Sequence, residues 1–299
     1  MERRRMGSTD MDVSSLGFGG AEIGLQAVPQ TQVDALLNSA LDAGLNVIDT
    51  AACYADSEEK IGQTIGHRRS EYFLFTKCGH ASDLEGSDWE PDLIRRSMER
   101  SLRRLKTDRV DLVMLHSCGM ETLESGEATA ALQAARDKGQ ARYIGYSGDG
   151  EAALQAVLSG HFDVLETSIN IADQQVLDHV LPLAVEKGMG VIAKRPIANA
   201  AWQAISERDA DEYHQPYFRR LKHLDYPFLT GDVETGVDLA LRFTLSCPGV
   251  HTAIVGTTKP ERWQQNAAMA AHGNLSPADF ESIRERWQEI AADDWIGLI

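Results

Sequence analysis

The fold is decided by the stretch Asn46-Val-Ile-Asp-Thr-Ala-Ala-Cys-Tyr-Ala-Asp-Ser-Glu-Glu-Lys-Ile-Gly62, which contains one strand, one loop and the start of one helix. The apolar residues leading to Asp49 predict a buried strand, the segment around Tyr54 predicts a short loop, and a helix is predicted to start near Ser57. An aspartate at the strand end and a tyrosine five positions later place a carboxylate and a phenol together at the carboxyl end of a parallel sheet.

The same strand-to-helix unit recurs along the chain. We predict eight strands, at residues 16–20, 46–49, 72–77, 110–116, 143–147, 164–169, 190–194 and 252–256, followed by helices at 31–43, 57–65, 91–105, 128–138, 151–158, 176–187, 237–245 and 260–271. The strands are apolar, as in a sheet that is buried on both faces. Eight such units predict an α/β fold of the (β/α)8 TIM-barrel type. An open doubly wound sheet is the alternative, but no Gly-x-Gly-x-x-Gly turn follows the first strand.

Three further segments complete the predicted architecture. Residues 3–14 alternate loosely around a turn and predict an N-terminal β-hairpin, and residues 276–292 predict a C-terminal amphipathic helix. Residues 197–232, rich in aromatic and charged side chains, predict a long loop after strand seven, and loops of that length are usually functional. No linker or low-complexity segment interrupts the chain, so we expect a single barrel domain over residues 1–299.

The composition limits the possible partners. A net charge of −16 argues against nucleic acid and against an anionic membrane surface, because both bind basic faces. No secretory signal or membrane-spanning run is recognised, so we expect a cytoplasmic protein with a small-molecule partner. The sequence gives no indication of an oligomeric state. Four cysteines provide no disulfide framework, and a metal site formed by Cys53, Cys78, Cys118 and His80 matches no zinc template, so we expect no metal.

Four polar residues stand at or just past the ends of consecutive strands: Asp49 and Tyr54 after the second, Lys77 after the third and His116 after the fourth. Because neighbouring barrel strands end side by side, we expect these side chains to converge. A phenol has a pKa of about 10, and a nearby ammonium lowers it. We therefore expect Lys77 to activate Tyr54 and Asp49 to hold Lys77. Taken singly, a residue of each type also fits a capping or core role.

These residues occur in the contexts Ile-Asp-Thr-Ala-x-x-Tyr, Phe-Thr-Lys and Asp-Leu-x-x-x-His, which resemble the catalytic tetrad of the aldo-keto reductases. The resemblance extends over nearly the whole chain. It implies that Tyr54 is the general acid and base, that His116 orients the carbonyl and that a nicotinamide cofactor supplies hydride. The implied function is an NAD(P)H-dependent oxidoreductase that interconverts a carbonyl (aldehyde, ketone or sugar) and an alcohol.

The resemblance also implies a cofactor site, for NADP(H) with NAD(H) as the alternative. The segment from Val255 to Asn266 is similar to the motif that holds the adenosine phosphate in this family. Many members carry a lysine where Gly256 stands, but Lys259 and Arg262 still offer two positive charges. The expected cofactor-binding residues are Ser147, Glu166, Lys194, Arg195, Pro196, Ile197, Asn199, Gly256, Thr257, Thr258, Lys259, Arg262, Gln265 and Asn266.

The nicotinamide end departs from the commoner family pattern. Gly148 replaces the usual asparagine, Glu166 stands where a glutamine usually contacts the nicotinamide amide, and Lys194 stands where many members stack an aromatic ring. Since strands six and seven are adjacent, we expect Glu166 and Lys194 to form an ion pair beneath the ring. Glu166 would then stabilise the positively charged, oxidised form of the cofactor.

Two other functions fit parts of the sequence. The barrel could be a cofactor-binding regulatory or partner subunit with vestigial catalysis, or a lyase that forms a Schiff base on Lys77. The substrate is not readable, because the aromatic residues of the long loop suit apolar carbonyls and sugar faces equally.

Overall fold

A computed structural model of the chain describes residues 1–298, so that Ile299 lies outside the described part. Eight parallel strands form a closed barrel in which each strand pairs with the next along the chain and the last pairs with the first. The predicted (β/α)8 barrel with an N-terminal hairpin is confirmed. The strands are β1 Arg3–Arg5 and β2 Asp12–Ser14 in the hairpin, and β3 Leu16–Gly19, β4 Val47–Asp49, β5 Phe73–Cys78, β6 Val110–His116, β7 Ala141–Ser147, β8 Val164–Ser168, β9 Gly190–Lys194 and β10 Thr252–Gly256 in the barrel.

Helices surround the barrel and pack their apolar faces on it. They are α1 Ala21–Leu25, α2 Gln30–Asp42, α3 Ser57–Ile65, α4 Pro91–Arg104, α5 Met120–Ser125, α6 Glu127–Asp137, α7 Gly150–Ser159, α8 Gln175–His179, α9 Leu181–Glu186, α10 Gln215–Leu224, α11 Val233–Ser246, α12 Pro260–Ala271 and α13 Pro277–Ile290. Short 3₁₀ helices occur at Gly66–Glu71, Ala198–Gln203, Glu207–Asp209, Glu212–His214 and Pro227–Leu229. None of the helices within residues 1–298 combines the length and the hydrophobicity needed to cross a membrane.

The hairpin closes the end of the barrel where the strands begin. Its buried side chains Met6, Met11 and Val13 pack against lumen residues such as Phe75 and Met114. This interior is apolar and filled, as in other barrels of eight strands. The opposite end, where the strands stop, is therefore the open face on which a polar site can form.

The helix predicted over residues 176–187 is instead two helices, α8 and α9. Pro182 lies in the first turn of α9, and a proline lacks the N–H that a continuous helix would need there. The first turn of a helix tolerates this loss, so the chain starts a new helix rather than kinking the old one.

The predicted long loop after strand seven is largely helical, which corrects our expectation. Helix α10 buries Tyr217, Phe218, Leu221 and Leu224, whose spacing is that of one helix face. The buried aromatic residues of this insertion thus extend the main hydrophobic core beyond the barrel strands. The segment that ends the chain lies beside it, because Arg220 Nη2 donates to the Ile296 carbonyl oxygen at 2.7 Å.

Candidate active site

Lys77 is the centre of a buried charged cluster. Asp49 on β4 is in register with Phe75 on β5, and Lys77 lies two residues beyond Phe75. The side chains of Asp49 and Lys77 therefore point to the same face of the sheet. Lys77 Nζ donates to Asp49 Oδ1 and, at 3.1 Å, to the Thr50 carbonyl oxygen. Glu166 reaches from β8 to within 3.4 Å of the same Nζ. The expected Asp49–Lys77 ion pair is therefore confirmed, and Glu166 joins it from across the lumen.

One cation thus serves two buried carboxylates. Burial alone would lower the pKa of Lys77, but the charges of Asp49 and Glu166 raise it above its usual value. Burial and the charge of Glu166 raise the pKa of Asp49 well above its usual range. A lysine held in its charged form is a poor nucleophile, which argues against a Schiff base on Lys77.

Tyr54 lies over this cluster, with Lys77 Nζ 5.4 Å from the centre of its ring. Burial raises the pKa of Tyr54 above its usual value; Lys77 opposes this, whereas Asp49 and Glu166 add to it. The effect of Lys77 has the predicted sign, but the prediction of a lowered pKa is wrong because burial and two carboxylates outweigh one ammonium. The phenol therefore stays protonated at neutral pH, which is the form that donates a proton.

His116 completes the group of four. Its ring stands edge-on to Tyr54, with ring centres 5.7 Å apart. Burial and the charge of Lys77 lower the pKa of His116 well below its usual value, so the ring is neutral. Cys53 Sγ lies 3.3 Å from His116 Nδ1, and burial raises the pKa of the Cys53 thiol. Since a protonated thiol is a donor, we assign Nδ1 as its acceptor, which leaves the ring proton on Nε2.

A second histidine and a tryptophan form the wall beside His116. The His80 ring centre is 5.2 Å from that of His116 and 5.1 Å from that of Trp89, and His80 Nδ1 lies 2.8 Å from Asp88 Oδ2. Trp89 Nε1 donates to the His116 carbonyl oxygen at 3.3 Å. Gly79 permits this packing, because a Cβ there would lie 2.5 Å from the Trp89 ring.

The expected ion pair between Glu166 and Lys194 is not formed. Lys194 Nζ lies 2.9 Å from Asp149 Oδ2, while Glu166 Oε1 accepts from Ser147 Oγ at 3.0 Å and faces Lys77. The physical reason is the strand register. Lys194 on β9 is in register with Ser168 on β8, which is two residues past Glu166, so Lys194 lies closer to the strand ends than Glu166 does. Glu166 Oε2 is buried and has no hydrogen-bond partner.

Asp149 is the functional-site residue that the sequence analysis missed. Its carboxylate accepts from the Ser168 backbone N–H at 2.7 Å and from Thr167 Oγ1 at 2.8 Å, in addition to pairing with Lys194. Although burial acts to raise the pKa of Asp149, the charges of Lys194 and Arg195 lower it. An Asp-Gly pair just before helix α7 is a helix-start signal that could have marked this position.

The segment 195–199 forms a tight loop at the end of β9. Arg195 Nη1 donates to Ser168 Oγ at 2.7 Å and also to the Leu298 carbonyl oxygen. The Pro196 carbonyl oxygen accepts from Thr244 Oγ1 at 2.9 Å. Ile197 precedes a turn in which Asn199 has a φ of 52°, a left-handed conformation that asparagine tolerates better than most residues. The start of the predicted cofactor loop is thus held by contacts of Arg195 and Pro196.

The predicted adenosine motif lies at the end of β10 and the start of α12. Thr257 Oγ1 accepts from the Lys259 backbone N–H at 3.1 Å, and the Thr258 carbonyl oxygen accepts from Gln32 Nε2 at 2.5 Å. The side chains of Lys259, Arg262 and Gln265 are exposed.

Asn266 differs from the other residues of this motif. It is 1% exposed, and neither its Oδ1 nor its Nδ2 has a hydrogen-bond partner. Buried amides are almost always bonded, so Asn266 fits a ligand that offers both a donor and an acceptor, as an adenine edge does. Within residues 1–298, no cluster of three or more His, Cys, Asp or Glu side chains is placed to hold a metal ion.

Comparisons with known proteins agree with this geometry. A model of the Aldo/keto reductase family matches residues 15–288. The chain is 29% identical to L-galactose dehydrogenase of Arabidopsis thaliana, over 95% of this chain and 93% of the relative. It is 27% identical to the NADH-specific methylglyoxal reductase of Escherichia coli, over 95% of this chain and 98% of the relative.

Solved structures are similar over the whole chain. The aldo-keto reductase AKR11C1 from Bacillus halodurans superimposes with a TM-score of 0.82 at 24% identity, covering 98% of this chain and 99% of the other, and supports the fold. An aldo/keto reductase from Klebsiella pneumoniae, solved in complex with NADP and acetate, gives a TM-score of 0.75 at 25% identity, covering 100% and 99%.

Proposed function

The chain belongs to the aldo/keto reductase family and is an NAD(P)-dependent oxidoreductase, and from this premise we propose that Tyr54 is its general acid and base. The observation that carries the proposal is the position of the Tyr54 ring between the buried ammonium of Lys77 and the neutral ring of His116. The site thus brings together a proton donor, an ammonium that stabilises the conjugate phenolate and a second hydrogen-bond donor.

The side chains divide the work of carbonyl reduction among them. A bound nicotinamide cofactor supplies the hydride in reduction and takes it up in oxidation. Tyr54 Oη gives its proton to the carbonyl oxygen, and His116 Nε2–H donates a hydrogen bond to the same oxygen. In the oxidation of an alcohol, the hydroxyl proton passes to the deprotonated form of Tyr54, a minor species at neutral pH whose negative charge the ammonium of Lys77 partly offsets. Asp49 holds Lys77 in place.

The residues that would hold the cofactor fall into three groups. We assign Ser147 and Glu166 to the nicotinamide amide, the loop 195–199 to the pyrophosphate, and the motif 256–266 to the adenosine. One carboxylate oxygen of Glu166 and both side-chain amide atoms of Asn266 are buried without a hydrogen-bond partner, which supports the assignment at the two ends of the cofactor. Taken alone, the positive charges of Lys259 and Arg262 favour NADP(H), with NAD(H) as the alternative.

We infer that the substrate is a hydroxylated aldehyde, such as an aldose. The wall beside His116 combines the Trp89 ring with the polar His80–Asp88 pair, and an aromatic face next to hydrogen-bonding groups suits a sugar better than an alkyl chain. The relative from Arabidopsis thaliana is named for a sugar. In a panel of aldoses and alkyl aldehydes, we expect a higher kcat/KM for aldoses; equal or higher values for alkyl aldehydes would contradict the inference.

The assignment of Tyr54 is tested by Tyr54→Phe, which removes only the hydroxyl. We expect turnover to fall by about 10²- to 10⁴-fold, the usual effect of a general acid, while cofactor affinity measured by fluorescence titration stays within about twofold. The exposed Tyr213, outside the group, offers a matched control as Tyr213→Phe. Retained turnover in Tyr54→Phe would overturn the assignment.

A further inference from the structure

The Glu22 carboxylate fills the space above Gly256. Strands β3 and β10 are neighbours, with Gly19 in register with Gly256, and α1 begins two residues after Gly19. The first turn of α1 therefore folds back over the end of β10. A Cβ built on Gly256 would lie 1.7 Å from Glu22 Oε2, so no side chain fits at position 256 while Glu22 holds this conformation.

This carboxylate has no charge to balance it. Glu22 is half-buried, and within residues 1–298 no Lys, Arg or His side chain forms an ion pair with it. Burial raises the pKa of Glu22 above its usual value, as expected for a carboxylate without a cation. A carboxylate at the mouth of the barrel with no cation beside it is available to a ligand.

Glu22 lies against the first residue of the 256–266 motif, so a ligand held by this motif would meet its carboxylate. Gly256 opens this motif, and the buried amide of Asn266 near its other end lacks any partner. The adenosine part of a dinucleotide presents an adenine edge for such an amide, and next to it a ribose with either a free 2′-hydroxyl or a 2′-phosphate. In the site proposed above, the carboxylate over Gly256 would therefore lie beside the part of the cofactor that distinguishes NAD from NADP.

We propose that Glu22 is a specificity-determining residue, whose carboxylate accepts hydrogen bonds from the adenosine ribose of NAD(H) and repels the 2′-phosphate of NADP(H). The proposal rests on the proposed function, because it assumes that the 256–266 motif binds the adenosine. A carboxylate plays the same part in Rossmann folds, where it binds the ribose 2′-hydroxyl. Lys259 and Arg262 do not cancel it, because both are exposed and their charges are weakened by water and salt.

The test is a binding measurement without substrate. Dissociation constants for NADH and NADPH are determined by calorimetry for the native protein, for Glu22→Gln and for a control, Glu234→Gln, which removes the same charge from an exposed position in the first turn of α11. We expect the native protein to bind NADH at least about tenfold more tightly than NADPH, because like charges placed together cost several kcal/mol. Glu22→Gln should remove most of this preference, and Glu234→Gln should leave it unchanged.

A second variant tests the steric part of the proposal. Gly256→Lys in a Glu22→Gly background places a cation where the carboxylate stood, and we expect it to bind NADPH more tightly than NADH. NADH binding that stays measurable in each variant shows that the protein is folded.

Two results would overturn the proposal. One is a native protein that binds NADPH as tightly as NADH. The other is an equal gain for both cofactors in Glu22→Gln, which would place the carboxylate at the shared pyrophosphate. Since these values need no turnover, they are independent of the outcome for Tyr54→Phe, and either assignment can fail alone.

Discussion

Two parts of the open barrel face handle charge in opposite ways. The proton cluster, formed by Asp49, Tyr54, Lys77, His116 and Glu166, pairs both of its carboxylates with one ammonium, although one oxygen each of Asp49 and Glu166 lacks a hydrogen-bond partner. The adenosine end is formed by Glu22, Gly256 and Asn266; within residues 1–298 no cation pairs with its carboxylate, and its amide has no hydrogen-bond partner. We infer from this difference that groups acting on the reacting atoms are preorganised by the protein. Groups that select a ligand instead obtain their charge or hydrogen-bond partner only when the ligand binds.

The largest effect should come from Lys77→Met, which removes the only cation of the proton cluster. Two buried carboxylates would then lose their partner, and breaking a buried pair in this way costs about 3–5 kcal/mol. We expect the free energy of unfolding in urea to fall by that order and turnover to be lost. Lys259→Met, at an exposed position of the adenosine end, serves as the control. Equal stabilities of the two variants would show that the buried ammonium of Lys77 is no more important to the fold than an exposed one.

Asn266→Ala should weaken cofactor binding without lowering the stability of the protein. A buried amide without a partner contributes no stability, so we expect unfolding of the cofactor-free protein to be unchanged or slightly harder. Cofactor affinity should fall by about tenfold, since an unmade hydrogen bond to a buried group costs about 1–3 kcal/mol. The exposed Asn274, changed to Ala, is the matched control. Lower stability with unchanged affinity would show that Asn266 supports the fold instead.

A contact in these two regions could be predicted from the sequence only when its residues end neighbouring strands. The barrel and the group of four were predictable because each residue ends a strand within a strongly periodic pattern, and neighbouring strands end together. The contact of Glu166 with Lys77 was not, because it crosses the lumen between strands that are not neighbours. The contact of Glu22 with Gly256 joins the helix after the first barrel strand to the end of the last strand, and only barrel closure brings these two elements together.

The helix in the insertion after the seventh barrel strand could not be predicted from the sequence either. Its aromatic residues were visible, but the predicted loop contained no long periodic run, and helix α10 is only ten residues long. Short helices depend on tertiary packing more than on propensity. Here Tyr217 is completely buried and donates to Asp173 Oδ2 at 3.0 Å, a contact that no local pattern encodes.

A smaller effect is expected for Glu166→Gln, which keeps the shape of the side chain and removes its charge. We propose that Glu166 favours the positively charged, oxidised cofactor, although its ion-pair partner is Lys77 and not Lys194. The ratio of the dissociation constants for oxidised and reduced cofactor should rise by about fivefold, which corresponds to ~1 kcal/mol. Both constants are measurable by titration, and an unchanged ratio would refute this role.

The smallest effect is expected for Cys53, which positions His116 without touching the reacting atoms. Cys53→Ala removes the donor to Nδ1, so the ring proton is no longer fixed on Nε2, and we expect kcat to fall by about three- to fivefold at unchanged cofactor affinity, less than the cost of one hydrogen bond. Cys53→Ser keeps a donor and should restore most of the rate. If both variants lose the same activity, the effect comes from packing.

The most direct test of the contrast is a single-turnover experiment at saturating cofactor, with the native protein, Tyr54→Phe and Glu22→Gln measured side by side. The rate of the chemical step should fall by at least about 100-fold in Tyr54→Phe, as for the loss of a general acid, and should stay within about twofold in Glu22→Gln. A native rate in Tyr54→Phe would contradict the account, and so would a comparable loss in Glu22→Gln.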